Sequence, residues 1–160
     1  MKYKVSVERN TLRFCAAHLA TFQGQAEPLH GHNYALLVDV EGELSEDAWV
    51  MDFRELKTIG QALCQQLDHR FLLPRDNPSL TISELDDAWQ IASGDRRYVI
   101  PKSDVCVLPL DNSTAERLAE WFCHRLAEAL AGRANITSIS VGVEEAPGQA
   151  GWCTVSPTKR

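Results

Sequence analysis

HGHNYALLVDVEG, residues 30 to 42, constrains the fold more than any other stretch of this chain. It is rich in β-branched and aliphatic residues, ends in glycine and opens on two histidines one residue apart. Along a strand side chains alternate between faces, so His30 and His32 share one side while Gly31 and Asn33 take the other. YKVSVERNTLRFCAAH, residues 3 to 18, has the same strand character with only partial alternation. The intervening LATFQGQAEPL, with its Gly and Pro, is a loop, which pairs the two strands antiparallel and brings His18 towards His30 and His32.

Two helices follow. In MDFRELKTIGQALCQQLDHRFL the apolar residues Phe53, Leu56, Ile59, Leu63 and Leu67 recur at helical spacing, with Asp52 as N-cap and Glu55 completing a capping-box-like pair. In DNSTAERLAEWFCHRLAEALAG, Leu118, Trp121, Phe122, Leu126 and Leu130 share a face, Ser113 or Thr114 caps the start and Gly132 ends it. NITSISVGVEEA and AGWCTVSP read as a closing strand pair around an APGQ turn. The order is ββααββ, a single α+β domain over residues 1–160. Residues 76–110 fit neither helix; their short β-like runs around GDRR predict an inserted hairpin.

The 160 residues suffice for a core without disulfide staples. The net charge of -6 disfavours nonspecific nucleic-acid binding by clustered Lys and Arg, while leaving room for a small basic pocket for one anion. No apolar run reaches the roughly 18 residues of a membrane span, and the N-terminus lacks a signal peptide's apolar stretch, so a cytoplasmic protein without membrane partners is expected. The five cysteines are scattered and never form C-x-x-C, which predicts reduced, mostly buried thiols rather than disulfides or a thiolate zinc site.

His18, His30 and His32 are three of only five histidines. Three neutral imidazoles at about 2.0–2.1 Å leave zinc one open position, the arrangement of a catalytic site. Histidines satisfied in a core or at a surface fit the same spacing. Asp68-His69 offers a carboxylate that orients an imidazole for proton transfer; helix punctuation by His and Arg is the competing reading. Glu145 shares the parity of Val141 and Val143, so it points inward and requires a partner, either paired N–H donors of a ligand or a protein cation, unless it is surface-exposed. Cys123-His124 lies in the second helix with the cysteine on its core side, and reads as packing.

FCAAH (Phe14 to His18), LHGHNY (Leu29 to Tyr34), DFRELK (Asp52 to Lys57), LDH (Leu67 to His69), STAE (Ser113 to Glu116) and VEE (Val143 to Glu145) follow one another in this order. Together they resemble the 6-pyruvoyltetrahydropterin and 6-carboxytetrahydropterin synthase family over the whole chain except residues 76–110. The resemblance implies the tunnelling fold: a four-stranded antiparallel sheet with two helices on one face, joined into a trimeric barrel and stacked as a homohexamer. It implies Zn2+ on His18, His30 and His32, Asp68 and His69 in a catalytic triad, Glu145 anchoring a pterin, Thr114 close to it, and active sites between subunits.

One departure matters. Typical members carry a catalytic cysteine a few residues before H-G-H, where this chain has GQAEPLHGH. Cys15 does not replace it, because three residues' separation puts it on the opposite strand face from His18. The stretch resembles a subgroup in which a glutamate, here Glu27, stands for the thiol, with members that cleave 7,8-dihydroneopterin triphosphate to 6-hydroxymethyl-7,8-dihydropterin, a folate precursor. A carboxylate and a thiol, with reference pKa values near 4.3 and 8.5, handle protons differently. The alternatives are carboxytetrahydropterin or pyruvoyltetrahydropterin synthase activity, or a pterin- or metal-binding member without turnover.

Overall fold

Long strands set the frame. The structure, a computed structural model, describes residues 1–157. The first half of the chain runs through β1 (Tyr3–His18), a tiny hairpin of β2 (Thr21–Phe22) and β3 (Gln25–Ala26), β4 (His30–Gly42), α1 (Phe53–Leu67) and β5 (Arg70–Pro74). It continues with β6 (Thr81–Glu84), β7 (Ala88–Ser93), β8 (Arg96–Pro101), β9 (Val105–Leu108), α2 (Ala115–Ala129), β10 (Ile136–Ala146) and β11 (Gln149–Val155). β1 and β4 pair antiparallel as expected, with His18 opposite His30 and Ala16 opposite His32.

The main sheet corrects the four-stranded expectation. It has six strands in the order β11-β10-β4-β1-β5-β9, and the last two join in parallel, with Ala16 opposite Arg70 and Phe71 opposite Val105. Both extra strands are short apolar runs, RFLLP and VCVL. In β5, Leu72 packs into the core under the helices while Phe71 and Leu73 pack into a second cluster on the other face, so no polar alternation marks it as a strand. Its parallel partner in sequence is the distant β1, reached through α1 as a crossover.

The inserted segment is more than a hairpin. β6, β7 and β8 form a separate three-stranded antiparallel sheet, while β9, within the same stretch of sequence, belongs to the main sheet. Only Gly94 and Asp95 make the β7–β8 turn; Gly94 takes φ +60°, and Arg96 already begins β8. Leu80 and Ile91 from this segment pack with Leu19, Ala26, Phe71, Leu73 and Val105.

Both helices lie on one face of the main sheet and are capped as their sequences require, with one exception. The Asp52 carboxylate accepts the Arg54 N–H at 2.7 Å, but Glu55 does not close a capping box; it pairs with Arg133 instead. Thr114, not Ser113, caps α2 by accepting the Arg117 N–H. Leu56, Leu63 and Leu67 of α1 and Leu118, Phe122 and Leu126 of α2 meet Leu12, Phe14, Leu36, Val38, Val141 and Val143 from the sheet. Phe53 is exposed at the start of α1 and does not join them.

β1 explains its own imperfect alternation. Val5 and Val7 face the helices near its start, whereas Leu12, Phe14, Ala16 and His18 do so further on. Between Glu8, opposite Leu37, and Arg13, opposite Ala35, β1 advances five residues while β4 advances two. The three extra residues bulge out and reverse the phase. Arg9 sits in this bulge at φ +27°, and its carbonyl accepts the Arg13 Nε–H at 3.0 Å. Its guanidinium reaches across to Glu144, with Nη2 at 3.1 Å from Oε2, and that same oxygen accepts the Gly148 N–H at 3.3 Å. Glu144 is therefore the carboxylate with a protein cation, although sequence parity directed that question at Glu145.

Arg9→Met should lower stability by about 1–2 kcal/mol in denaturant unfolding. That is less than the roughly 3–5 kcal/mol of a fully buried pair, because Arg9 is half exposed while Glu144 is not. A variant as stable as the parent would show that the pair contributes nothing to the bulge.

Candidate metal centre and active site

The phase reversal in β1 brings His18 onto the face that already carries His30 and His32. One nitrogen from each ring lies within 4.8 Å of the others, and the Nε2 atoms of His18 and His30 are 3.1 Å apart. Two backbone carbonyls decide which nitrogens carry protons. His18 Nδ1 is 2.9 Å from the Ser113 carbonyl and His30 Nδ1 is 2.7 Å from that of Pro28; a carbonyl only accepts, so each Nδ1 donates. Burial also holds His18 neutral, pushing its pKa down to about 4. With Nδ1 carrying the proton, the Nε2 atom of each ring in its neutral form offers a lone pair to a cation, and the two nitrogens face the same point. Ligands about 2.0–2.1 Å from a tetrahedral ion stand about 3.3 Å apart, so the trio fits a metal.

A cavity of about 420 Å³ opens beside the trio. His18, His30, Glu27, Glu145 and Thr114 all line it. A Glu27 carboxylate oxygen lies 3.8 Å from His30 Nε2, too far for a hydrogen bond but within reach of anything bound there. Glu145 sits where the β10–β11 register slips, between Glu144 and Ala146, a bulge that aims its side chain into the cavity. Burial raises its pKa, partly offset by the neighbouring His32 and His30. Thr114 spends one lone pair on the α2 cap and keeps its hydroxyl proton for a ligand.

The sequence reading missed part of this wall. Glu116, Gln149 and Gly151 also line the cavity. A Cβ on Gly151 would stand 2.6 Å from the Glu116 backbone nitrogen, so only glycine lets β11 touch the first turn of α2. A glycine inside a strand was the available signal. Behind the trio, Tyr34 is fully buried, stacks on Phe14 at 4.7 Å and leaves its hydroxyl without a partner among the described residues; burial, with Glu145 second, raises its pKa.

Asp68 and His69 stand elsewhere. They follow α1 and do not line the cavity within this chain. Asp68 Oδ2 is 2.9 Å from His69 Nδ1, and Asp68 Oδ1 accepts the Cys15 N–H at 2.7 Å. The Cys15 hydrogen bond, ahead of the contribution from His69, lowers the Asp68 pKa. His69 adopts φ +56°, unusual without glycine, and donates its own N–H to the Cys15 carbonyl at 2.7 Å. Its ring is held outwards, its side chain 82% exposed. The pair is thus built and oriented, yet it faces away from its own chain's cavity. Cys123, by contrast, is buried packing under β10 and β11, as read from the sequence.

A family model for 6-pyruvoyl tetrahydropterin synthase matches residues 6–156. The chain belongs to this family. A putative 6-carboxy-5,6,7,8-tetrahydropterin synthase of Methanocaldococcus jannaschii is 34% identical over 141 residues, covering 86% of this chain and 86% of the relative. A dihydroneopterin monophosphate aldolase of Pyrococcus furiosus is 43% identical over 67 residues, 41% of this chain and 57% of the relative. Among solved structures, a Plasmodium vivax 6-pyruvoyltetrahydropterin synthase with a catalytic glutamate replaced by alanine superposes with a TM-score of 0.91 at 30% identity, covering 98% of this chain and 99% of that one. The chain is therefore a member of an enzyme family of pterin metabolism, with an α+β fold shared across its length. No helix among the described residues is long and apolar enough to cross a membrane.

Two outcomes follow from the site. Replacing His18 or His32 with Ala should reduce bound metal from about one ion per chain to near none, measured by elemental analysis of the purified variants, because three ligands rarely retain an ion once one is lost. Asp68→Asn should destabilise the fold at neutral pH. Because the folded pKa of Asp68 is lowered, its ionised form stabilises above the unfolded value near 3.9, and the benefit disappears as pH falls through the folded value. The stability gap between parent and variant should therefore shrink below about pH 4; a gap independent of pH would deny Asp68 this role.

Proposed function

We propose that this chain is a zinc-dependent lyase that acts on 7,8-dihydroneopterin triphosphate and cleaves its side chain to give 6-hydroxymethyl-7,8-dihydropterin. Glu27 carries the reading: a carboxylate, not a thiol, borders the cavity beside the histidine trio. Two relatives support it: the P. vivax synthase, in which a glutamate is a catalytic residue, and the P. furiosus protein, which is named an aldolase.

The residues divide the work. Glu145, dehydrated and partly buried, accepts the two N–H groups on the pterin's guanidine-like edge, while the Thr114 hydroxyl donates to the ring. His18, His30 and His32 would hold zinc, which would supply Lewis acidity towards the substrate's side-chain hydroxyls. Cleavage breaks one carbon–carbon bond; the hydroxyl on the departing carbon loses a proton and becomes a carbonyl, and the carbon left on the ring gains a proton. No oxidant is consumed. Glu27 moves one of these protons.

Asp68 and His69 complete the site from a second copy of the chain. Their outward orientation supports this, since the pair is exposed and does not line the cavity beside the histidine trio. The open edges of the sheet, β11 and β9, also favour assembly, in our reading a homohexamer built as a dimer of trimers. Small pterins are the partners; nucleic acid and membranes are not, and the setting is cytoplasmic. A second reading, 6-carboxytetrahydropterin synthase activity, is favoured by the name of the M. jannaschii relative.

Product analysis after incubation with zinc and dihydroneopterin triphosphate separates the readings. Glu27→Gln should cut 6-hydroxymethyl-dihydropterin formation by about 10²-fold while zinc stays bound. A carboxylated or pyruvoyl product would favour the alternatives, and saturable binding without any product would indicate a pterin-binding protein. Light scattering that finds an active monomer would overturn the shared site.

A further inference from the structure

We propose that Arg96, on the inserted sheet, is a positioning residue for Glu27; the inference rests on the catalytic reading of Glu27. Glu27 immediately follows the β2–β3 hairpin, whose base is closed by the Glu27 N–H donating to the Ala20 carbonyl at 2.8 Å. One side of this hairpin is held by side-chain amides. Asn112 accepts the Thr21 N–H at 3.0 Å and donates to the Thr21 carbonyl at 2.8 Å, and Asn77 donates to the Thr21 hydroxyl at 3.0 Å. The other side is held by Arg96, whose Nη2 donates to the Ala26 carbonyl at 2.7 Å.

That carbonyl belongs to the peptide joining Ala26 to Glu27. Fixing its plane places the Glu27 N and Cα, the atoms from which the side chain departs. The Ala26 methyl is locked as well, buried with Leu80 and Ile91 from the inserted segment. No residue of 76–110 lines the cavity that Glu27 borders, so Arg96 reaches its chemistry by holding this loop. Arg96 is also a costly way to build a core. Its Nη1 is buried without a partner among the described residues, a penalty that an apolar side chain would avoid. The contact with Ala26 gives that cost a purpose.

The experiment compares Arg96→Met, Arg96→Lys, Glu27→Gln and the double variant Glu27→Gln/Arg96→Met on dihydroneopterin triphosphate with zinc. Arg96→Met should lower kcat by about tenfold or more, since small misplacements of a catalytic group are this costly. KM and zinc content should stay within about twofold, and Arg96→Lys, which keeps a donor, should recover part of the loss. The double variant should be no slower than Glu27→Gln alone, because a misplaced Glu27 is lost only once. If Arg96→Met folds poorly, Arg96→Lys serves with hydrogen exchange at the Glu27 amide, where faster exchange is expected. A normal kcat in Arg96→Met, additive losses in the double variant, or unchanged exchange in Arg96→Lys would overturn the inference. If Glu27→Gln alone retains full turnover, the catalytic reading of Glu27 fails instead.

Discussion

Three surplus residues in β1, between Glu8 and Arg13, decide which way His18 points. Side chains on a strand alternate, so an odd insertion exchanges the two faces for everything beyond it. Upstream, Val5 and Val7 contribute to the helical face; downstream, Leu12, Phe14, Ala16 and His18 do. β4 keeps one phase from Val40 through Leu36 and Tyr34 to His32 and His30. Without the bulge either the two histidines of β4 would lack their third partner or the hydrophobic face of β1 would break. Core and metal centre are thus satisfied by the same irregularity.

The bulge is not left to itself. Arg9, at its start, extends to Glu144 near the end of β10, and the same carboxylate oxygen holds the Gly148 N–H of the β10–β11 turn. Glu145 follows at a second bulge. One ion pair therefore links the irregularity that aims His18 to the one that aims Glu145, across 135 residues of sequence. Backbone carbonyls add the finer control, since Ser113 and Pro28 set the tautomers of His18 and His30. Rigid strands position the three histidines, while Glu27 comes from a loop clamped on both sides. This division suits the proposed function, which asks for a fixed metal and a proton carrier set by its surroundings.

Much of this was legible in the residues. The alternation in HGHNYALLVDVEG places His30 and His32 together, helical spacing from Leu56 to Leu67 and from Leu118 to Leu126 defines both helices, and Asp52 and Thr114 cap them. These signals are local, since a strand's period or a helix's apolar stripe is written within a dozen residues. The six ordered motifs add the family. Other features had no local signature. β5 is a short apolar run buried on both faces and β9 a short apolar run at the sheet edge, and their parallel partners lie far away in sequence. The separate sheet of β6 to β8 differs from a simple hairpin only in which runs pair.

The sequence by itself determined the alternating and helical elements and the placement of His30 and His32 on one strand face, because each depends on residue type at short spacing. Tertiary structure alone decided the six-stranded mixed sheet, the phase of β1, the partner of Glu144, the clamp of Arg96 on Ala26 and the outward orientation of Asp68 and His69. Each of these is a contact between residues distant in sequence, or a bulge whose extent is set by the partner strand. Such contacts are selected by the packing of the whole chain, and no periodicity records them.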